Sequence, residues 1–282
     1  GLTPLCVTIR PPLELPVGQR NLLNFVDSGF DHIHITPNPD IMARINRYGF
    51  EQVGFPYYGW LIAIHTAVIH TAIAYKVPLV IYGEDGEVEY GGSTEKEHDP
   101  VFQMEYMRRI YLQGGHEDVM SLLGDDRYKA HLWDFPATDS NLLFTHWSYF
   151  ESWDPYRNYI VAKEHCGLEE SSQANAGTFT NFAQNDQALV ALHTYLMYLK
   201  YGFGRATSDA GIEIRRGAID RGQALHLVRL YDGAYPNDDF IELYLDYFKL
   251  SRSEFNAVLA KWANPALFEY IGDRWTPTFT VS

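Results

Sequence analysis

The sequence predicts an α/β protein in which alternating strands and helices are followed by a mainly helical part. Three observations carry this. Short apolar runs at residues 5–9, 33–36 and 77–82 alternate with longer stretches of helical period, the pattern of parallel strands joined by crossovers. The third run opens directly into a loop rich in glycine and carboxylates. Beyond Gly92, capping signals and helical periodicity take over.

Residues 5–9, Leu-Cys-Val-Thr-Ile, read as a strand ended by Arg10-Pro11-Pro12. Residues 18–28 form a helix with Leu22, Leu23, Phe25 and Val26 on its apolar face and Gly29 as its stop. A second strand, at residues 33–36, is closed by Pro37. Helices follow at 40–48 and 60–76, then a buried strand at 77–82. In the second part, residues 100–112 and 117–123 read as helices. Residues 142–147 fit a strand or an extended loop. Residues 155–166 fit a helix with proline at its start. Helices at 181–201, 207–216, 220–231, 238–250 and 251–262 complete the chain, the last with a capping box formed by Ser251 and Glu254. The two parts meet near residues 93–100, giving domains at 1–95 and 96–282.

A chain of 282 residues with 46% hydrophobic residues has enough apolar surface for a sizeable core. Its net charge of -14 argues against nucleic acid, because a polyphosphate repels it and the densest basic segments are only Arg108-Arg109 and Arg215-Arg216. Two cysteines, Cys6 and Cys166, without a CxxC pair exclude a cysteine-rich zinc site within this sequence. They suit a reducing cytoplasm. The longest apolar run, residues 61–75, is too short to span a bilayer and reads as a core helix, and no signal peptide is visible. Gly1-Leu2-Thr3 leads almost at once into a core strand, so an upstream segment is expected.

The strongest candidate for chemistry is Tyr82-Gly83-Glu84-Asp85-Gly86-Glu87-Val88-Glu89-Tyr90-Gly91-Gly92, with four carboxylates and four glycines. Ligands in α/β proteins bind outside the carboxyl ends of the strands. Glycine permits close backbone approach, and clustered carboxylates suit Mg²⁺. A solvated surface turn is the alternative. His32, His34, His65 and His70 lack the helical i, i+4 pairing of a metal site and read as structural. No GxSxG is present, and Cys166 beside His165 does not face it on a helix. Residues 202–209, Gly-Phe-Gly-Arg-Ala-Thr-Ser-Asp, join two helices. Arg205 there lies close to a helix N-terminus capped by Thr207 or Ser208, a place that favours anions. Pairing of Arg205 with Asp209 or Glu213 is the structural alternative. Asn181 reads as a helix cap.

The segments at residues 5–12, 29–39, 82–92 and 202–207 together resemble the N-acetyl sugar amidotransferases, the WbpG, PseA and LegA group of lipopolysaccharide and nonulosonic acid biosynthesis. The resemblance covers nearly the whole chain, in the family's order. It implies a parallel sheet of adenine-nucleotide α-hydrolase, or PP-loop, type in residues 1–95, with residues 96–282 binding substrate and partner. The implied reaction converts an acetamido group of a nucleotide-sugar to an acetamidino group. ATP adenylates the amide oxygen, pyrophosphate leaves, and ammonia from a glutaminase subunit of the HisH/HisF kind displaces AMP. The resemblance also implies Mg²⁺ and a cytoplasmic location.

By the same resemblance, Glu84 and Glu87 are catalytic and bind Mg²⁺, and Arg205 is catalytic. Val7, Thr8 and Ile9 lie against adenine, Gly83, Asp85 and Gly86 meet the nucleotide, and Tyr90, Gly91, Gly92 and Asp209 bind substrate. The family's Ser-Gly-Gly-x-Asp-Ser loop has no counterpart here, and Gly91-Gly92-Ser93 follows the wrong strand. In the family that loop precedes the strand at Leu5, together with a cysteine-bearing segment, so the sequence is expected to be truncated. Other readings are a PP-loop ligase of asparagine synthetase or tRNA thiolase type, the latter disfavoured by the acidic charge, and a non-catalytic fragment that scaffolds a glutaminase.

Overall fold

The computed structural model describes residues 2–83, 95, 99–112, 115–137 and 141–282. The chain is mixed α/β with small sheets and a mainly helical C-terminal part. It forms two compact units, one of residues 1–10, 29–45 and 58–158, the other of residues 11–28, 46–57 and 159–282. Residue 95, the domain boundary drawn from the sequence, falls inside the first unit.

In the first unit, β1 (Cys6–Ile9) and β2 (His32–Ile35) pair in parallel, with Cys6 opposite His32 and Ile9 opposite Ile35. A second sheet has the order β3 (Leu79–Tyr82), β5 (Leu143–His146), β4 (Phe102–Gln103), with β3 parallel and β4 antiparallel to β5. The parallel pairings agree with the alternating pattern of the sequence. Helix α3 (Tyr58–Tyr75) is apolar on nearly every side, as a core helix must be. It packs on both β1 and β3. Ile62, Ala63 and Ile69 are fully buried, and the Trp133 indole donates to the Gly59 carbonyl at 2.7 Å. The helix α2 (Pro39–Tyr48) adds Ile41, Met42 and Ile45 to the same core.

Two expectations change here. The strand at 77–82 is not buried on both faces: Leu79 and Ile81 remain 43% and 41% exposed, while Val80 and Tyr82, alternating to the other face, pack against the core. The helix expected over 100–112 begins as β4. Phe102 pairs with Phe144, and the aromatic side chain fits a sheet face better than a helix. A short helix α4 (Met104–Tyr106) and one wide helical turn at Met107–Tyr111 follow, the turn closed by Leu112 N–H on the Met107 carbonyl at 3.1 Å. Then come α5 (Gly115–Leu123) and α6 (Pro155–Cys166).

The second unit holds α1 (Pro16–Asp27), α7 (Leu189–Tyr201), α8 (Arg205–Arg215), α9 (Arg221–Tyr231), α10 (Asp238–Phe248) and α11 (Arg252–Trp262). Leu192, Leu196, Tyr244, Phe248 and Phe255 gather around Phe50, whose ring stacks on Phe248 at 5.0 Å. Phe50 sits on a wide turn closed by Gly54 at φ 69. A Cβ there would lie 2.8 Å from the Trp262 ring, so this position takes only glycine. The Ser251–Glu254 capping box forms as the sequence predicts, and Asp220 with Gln223 forms another.

The helix expected over 181–201 starts at Leu189. Side chains upstream bond locally to backbone and hold the chain out of helical form. Asn175 Nδ2 donates to the carbonyls of Ala183 and Gln184 at 3.0 and 2.6 Å. Asn181 is a loop clamp rather than a cap: its Nδ2 donates to the Ser171 carbonyl at 2.9 Å, and Ser171 N–H returns to the Asn181 carbonyl at 2.8 Å. A C-terminal hairpin of β6 (Phe268–Ile271) and β7 (Arg274–Pro277), absent from the sequence reading, turns through Gly272-Asp273. Among the described residues, no helix is long and apolar enough to cross a membrane.

Candidate functional site

The carboxyl ends of β3 and β5 lie side by side, because parallel pairing puts Tyr82 opposite His146. Alternation along each strand sends these two side chains to one face, where their ring centroids are 5.6 Å apart. His65 on α3 and Tyr111 on the wide turn complete a quartet. Tyr111 Oη and His146 Nε2 are 2.7 Å apart, and His65 Nδ1 is 3.4 Å from Tyr82 Oη. Phe102 stacks on His146 at 5.5 Å. Burial, reinforced by the neighbouring His146, pulls the His65 pKa down to about 4. His65 is therefore a neutral imidazole at pH 7, and the phenol of Tyr82 is its hydrogen-bond neighbour.

Outward from this quartet the chain leaves both strands. On the β3 side Gly83 is exposed, and among the described residues a Cβ built on it meets nothing within 4 Å. Glu84, Asp85, Gly86, Glu87, Tyr90, Gly91 and Gly92 lie outside the described residues. On the β5 side a tight helical turn at Trp147–Tyr149 follows at once. Its indole N–H donates to Glu151 Oε2 at 3.1 Å, and Glu151 pairs with Arg157 at 2.9 Å. Among the described residues, no group of three or more His, Cys, Asp or Glu side chains is placed to hold a metal ion.

Val7, Thr8 and Ile9 occupy β1, in a sheet separate from β3. Ile9 is buried, and Thr8 Oγ1 lies 2.8 Å from His32 Nε2. Burial, with His34 second, lowers the His32 pKa.

Arg205 and Asp209 come together in the second unit. They are one helical turn apart on α8, with Nε 2.6 Å from Oδ1 and side chains only 10% exposed. Thr178 Oγ1 donates to the other Asp209 oxygen at 2.6 Å. The Gln184 carboxamide, turned with its oxygen toward the guanidinium, accepts from Arg205 Nη1 at 2.6 Å. The α8 N-cap is Gly204, not Thr207 or Ser208. The capping oxygens come from Asp232, which accepts from Gly204 N–H at 2.9 Å, Thr207 N–H at 3.3 Å and Thr207 Oγ1 at 2.5 Å. A carboxylate of this chain thus stands where the helix dipole favours an anion. Burial raises the Asp232 pKa, and these hydrogen bonds oppose the rise. Gly177 ties this corner to the preceding loop: its carbonyl accepts from Ala206 N–H at 2.9 Å, and at φ 84 a Cβ there would collide with the Thr194 methyl group, leaving no room for a side chain.

His146 and Tyr111 escaped the sequence reading. The signal was present in the two apolar runs at 77–82 and 142–147, the first ending in Tyr82 and the second carrying His146 one residue before its end. Only strand pairing shows that they share an end.

Residues 176–279 match the family model described as LPS biosynthesis protein WbpG-like, C-terminal domain. The match takes in α7 to α11 and the hairpin, with Arg205 and Asp209 among them, and supports the WbpG-like family over this part of the chain. Comparison with curated proteins returned no match.

Proposed function

We propose that this chain belongs to an ATP-dependent amidotransferase of lipopolysaccharide biosynthesis, which converts an acetamido group of a nucleotide-sugar to an acetamidino group. The observation that carries this reading is the WbpG-like match over residues 176–279. The first unit lends it support: its parallel pair β3–β5 ends at Tyr82 and His146, and the acidic glycine sequence follows Tyr82. We assign this unit to the PP-loop type of fold, in the cytoplasm, with ammonia supplied by a glutaminase subunit.

Gly83 suits a backbone-to-phosphate contact, being an exposed glycine at a strand end. Val7, Thr8 and Ile9 are the residues proposed for adenine. For Mg²⁺ the candidates are Glu84 and Glu87, which rest on the sequence alone. ATP with Mg²⁺ supplies the activation that an amide oxygen, a poor leaving group, needs. In balance, the amide oxygen departs on AMP, pyrophosphate is released, and nitrogen from ammonia takes the oxygen's place.

Sugar-dependent pyrophosphate release by the full-length protein tests the acidic loop. Glu84→Ala and Glu87→Ala abolish release while the circular dichroism spectrum is kept. Normal release in both variants removes the loop from the site.

A further inference from the structure

We infer that Trp147 and Phe150 form the stacking face for the pyranose ring of the substrate, at the carboxyl end of β5. The inference deepens the amidotransferase reading and rests on it for the class of ligand. Three features of the first unit carry it. The tight turn at Trp147–Tyr149 brings residues three apart to one side. It places the Trp147 and Phe150 rings 6.3 Å apart with 42% and 62% of their surfaces exposed. Tyr149, the last residue of that turn, lies instead against His146, at 6.5 Å. The pair therefore follows directly on the carboxyl end of β5, beside the end of β3, where α/β folds take their ligands.

The polar edge of this face suits a sugar. Glu151 holds the indole N–H at 3.1 Å, which fixes the ring plane. Arg157 pairs with Glu151 at 2.9 Å and donates to the Ser152 carbonyl at 2.8 Å. Arg157 is itself anchored in the first turn of α6 by its N–H on Asp154 Oδ1 at 3.0 Å. A pyranose has an apolar face of C–H bonds and a rim of hydroxyls. The indole and phenyl rings take the first, and the half-exposed carboxylate and guanidinium take the second. An apolar protein segment laid here would strip water from that charged edge without replacing its hydrogen bonds.

Calorimetric titration of the full-length protein with UDP-N-acetylglucosamine, and separately with UMP, tests this. Trp147→Ala is expected to raise the dissociation constant for the sugar nucleotide about tenfold while leaving UMP unchanged. Trp147→Tyr, which keeps a stacking ring and controls for folding, stays within about threefold of the wild type. An unchanged constant in Trp147→Ala overturns the inference. So does an equal loss for UMP, which marks base stacking, or a change in oligomeric state with sugar affinity unmoved, which marks a protein contact. Amidination assays separate this from the broader reading. Conversion with an unmoved KM in Trp147→Ala sinks the stacking face alone. Trp147-dependent binding without any conversion by the wild type sinks the amidotransferase alone.

Discussion

Tyr82 and His146 face each other in the last register pair of the parallel strands β3 and β5, with ring centroids 5.6 Å apart. One strand continues into Gly83 and the acidic loop, the other into Trp147. Beneath them, His65 and Tyr111 extend the hydrogen-bonded ring contacts into the core. This cluster is the floor of the candidate site, and the core packing of α3 and β4 holds it in place.

His65 predicts an acid-sensitive fold. Its folded pKa, about 4, lies below the ordinary value of 6.5. The folded state thus binds fewer protons than the unfolded chain between these values. Its contribution is complete above pH 6.5 and is lost as pH falls toward 4, on the order of 3 kcal/mol in all. Urea denaturation at pH 7 and pH 4.5 measures this. His65→Phe keeps a ring and removes the titration, so its stability falls less over that interval. An identical fall in the variant contradicts the assignment.

The pair Arg205–Asp209 predicts a large stability effect from a single charge. Removing Arg205 leaves the Asp209 carboxylate buried without its cation, with Thr178 Oγ1 still donating to one oxygen. Arg205→Ala is expected to cost about 3 kcal/mol or more, and Arg205→Leu combined with Asp209→Leu to cost less than Arg205→Ala alone. The exposed pair Lys249–Asp246, with side chains 73% and 81% exposed, is the control, and Lys249→Ala there costs less than about 1 kcal/mol. Equal effects at the two pairs, measured by urea unfolding, contradict the burial argument.

Much of the fold was legible where local signals and packing agree. The capping box at Ser251 and Glu254, the helix at residues 155–166 and the parallel pairing of the apolar runs all follow from residue type and spacing. The reading failed where side chains override periodicity. Asn175 and Asn181 fold the 171–187 segment into clamped loops although its composition extends the helical pattern. The hairpin around Gly272-Asp273 had a turn signal between two alternating runs that the reading did not use. At the candidate sites, the Arg205–Asp209 contact was foreseen as one of two alternatives, because an i, i+4 spacing is local. The cap from Asp232 and the Tyr111–His146 bond join residues 25 or more positions apart, and no spacing rule reaches that far.

The measurement closest to the central claim is mass spectrometry of UDP-N-acetylglucosamine and related UDP-acetamido sugars incubated with the full-length protein, ATP, Mg²⁺ and ammonium. The account predicts a product lighter than the substrate by the difference between O and NH, formed together with AMP and pyrophosphate. A sugar of unchanged mass across the series, with ammonium saturating and the protein folded, contradicts it.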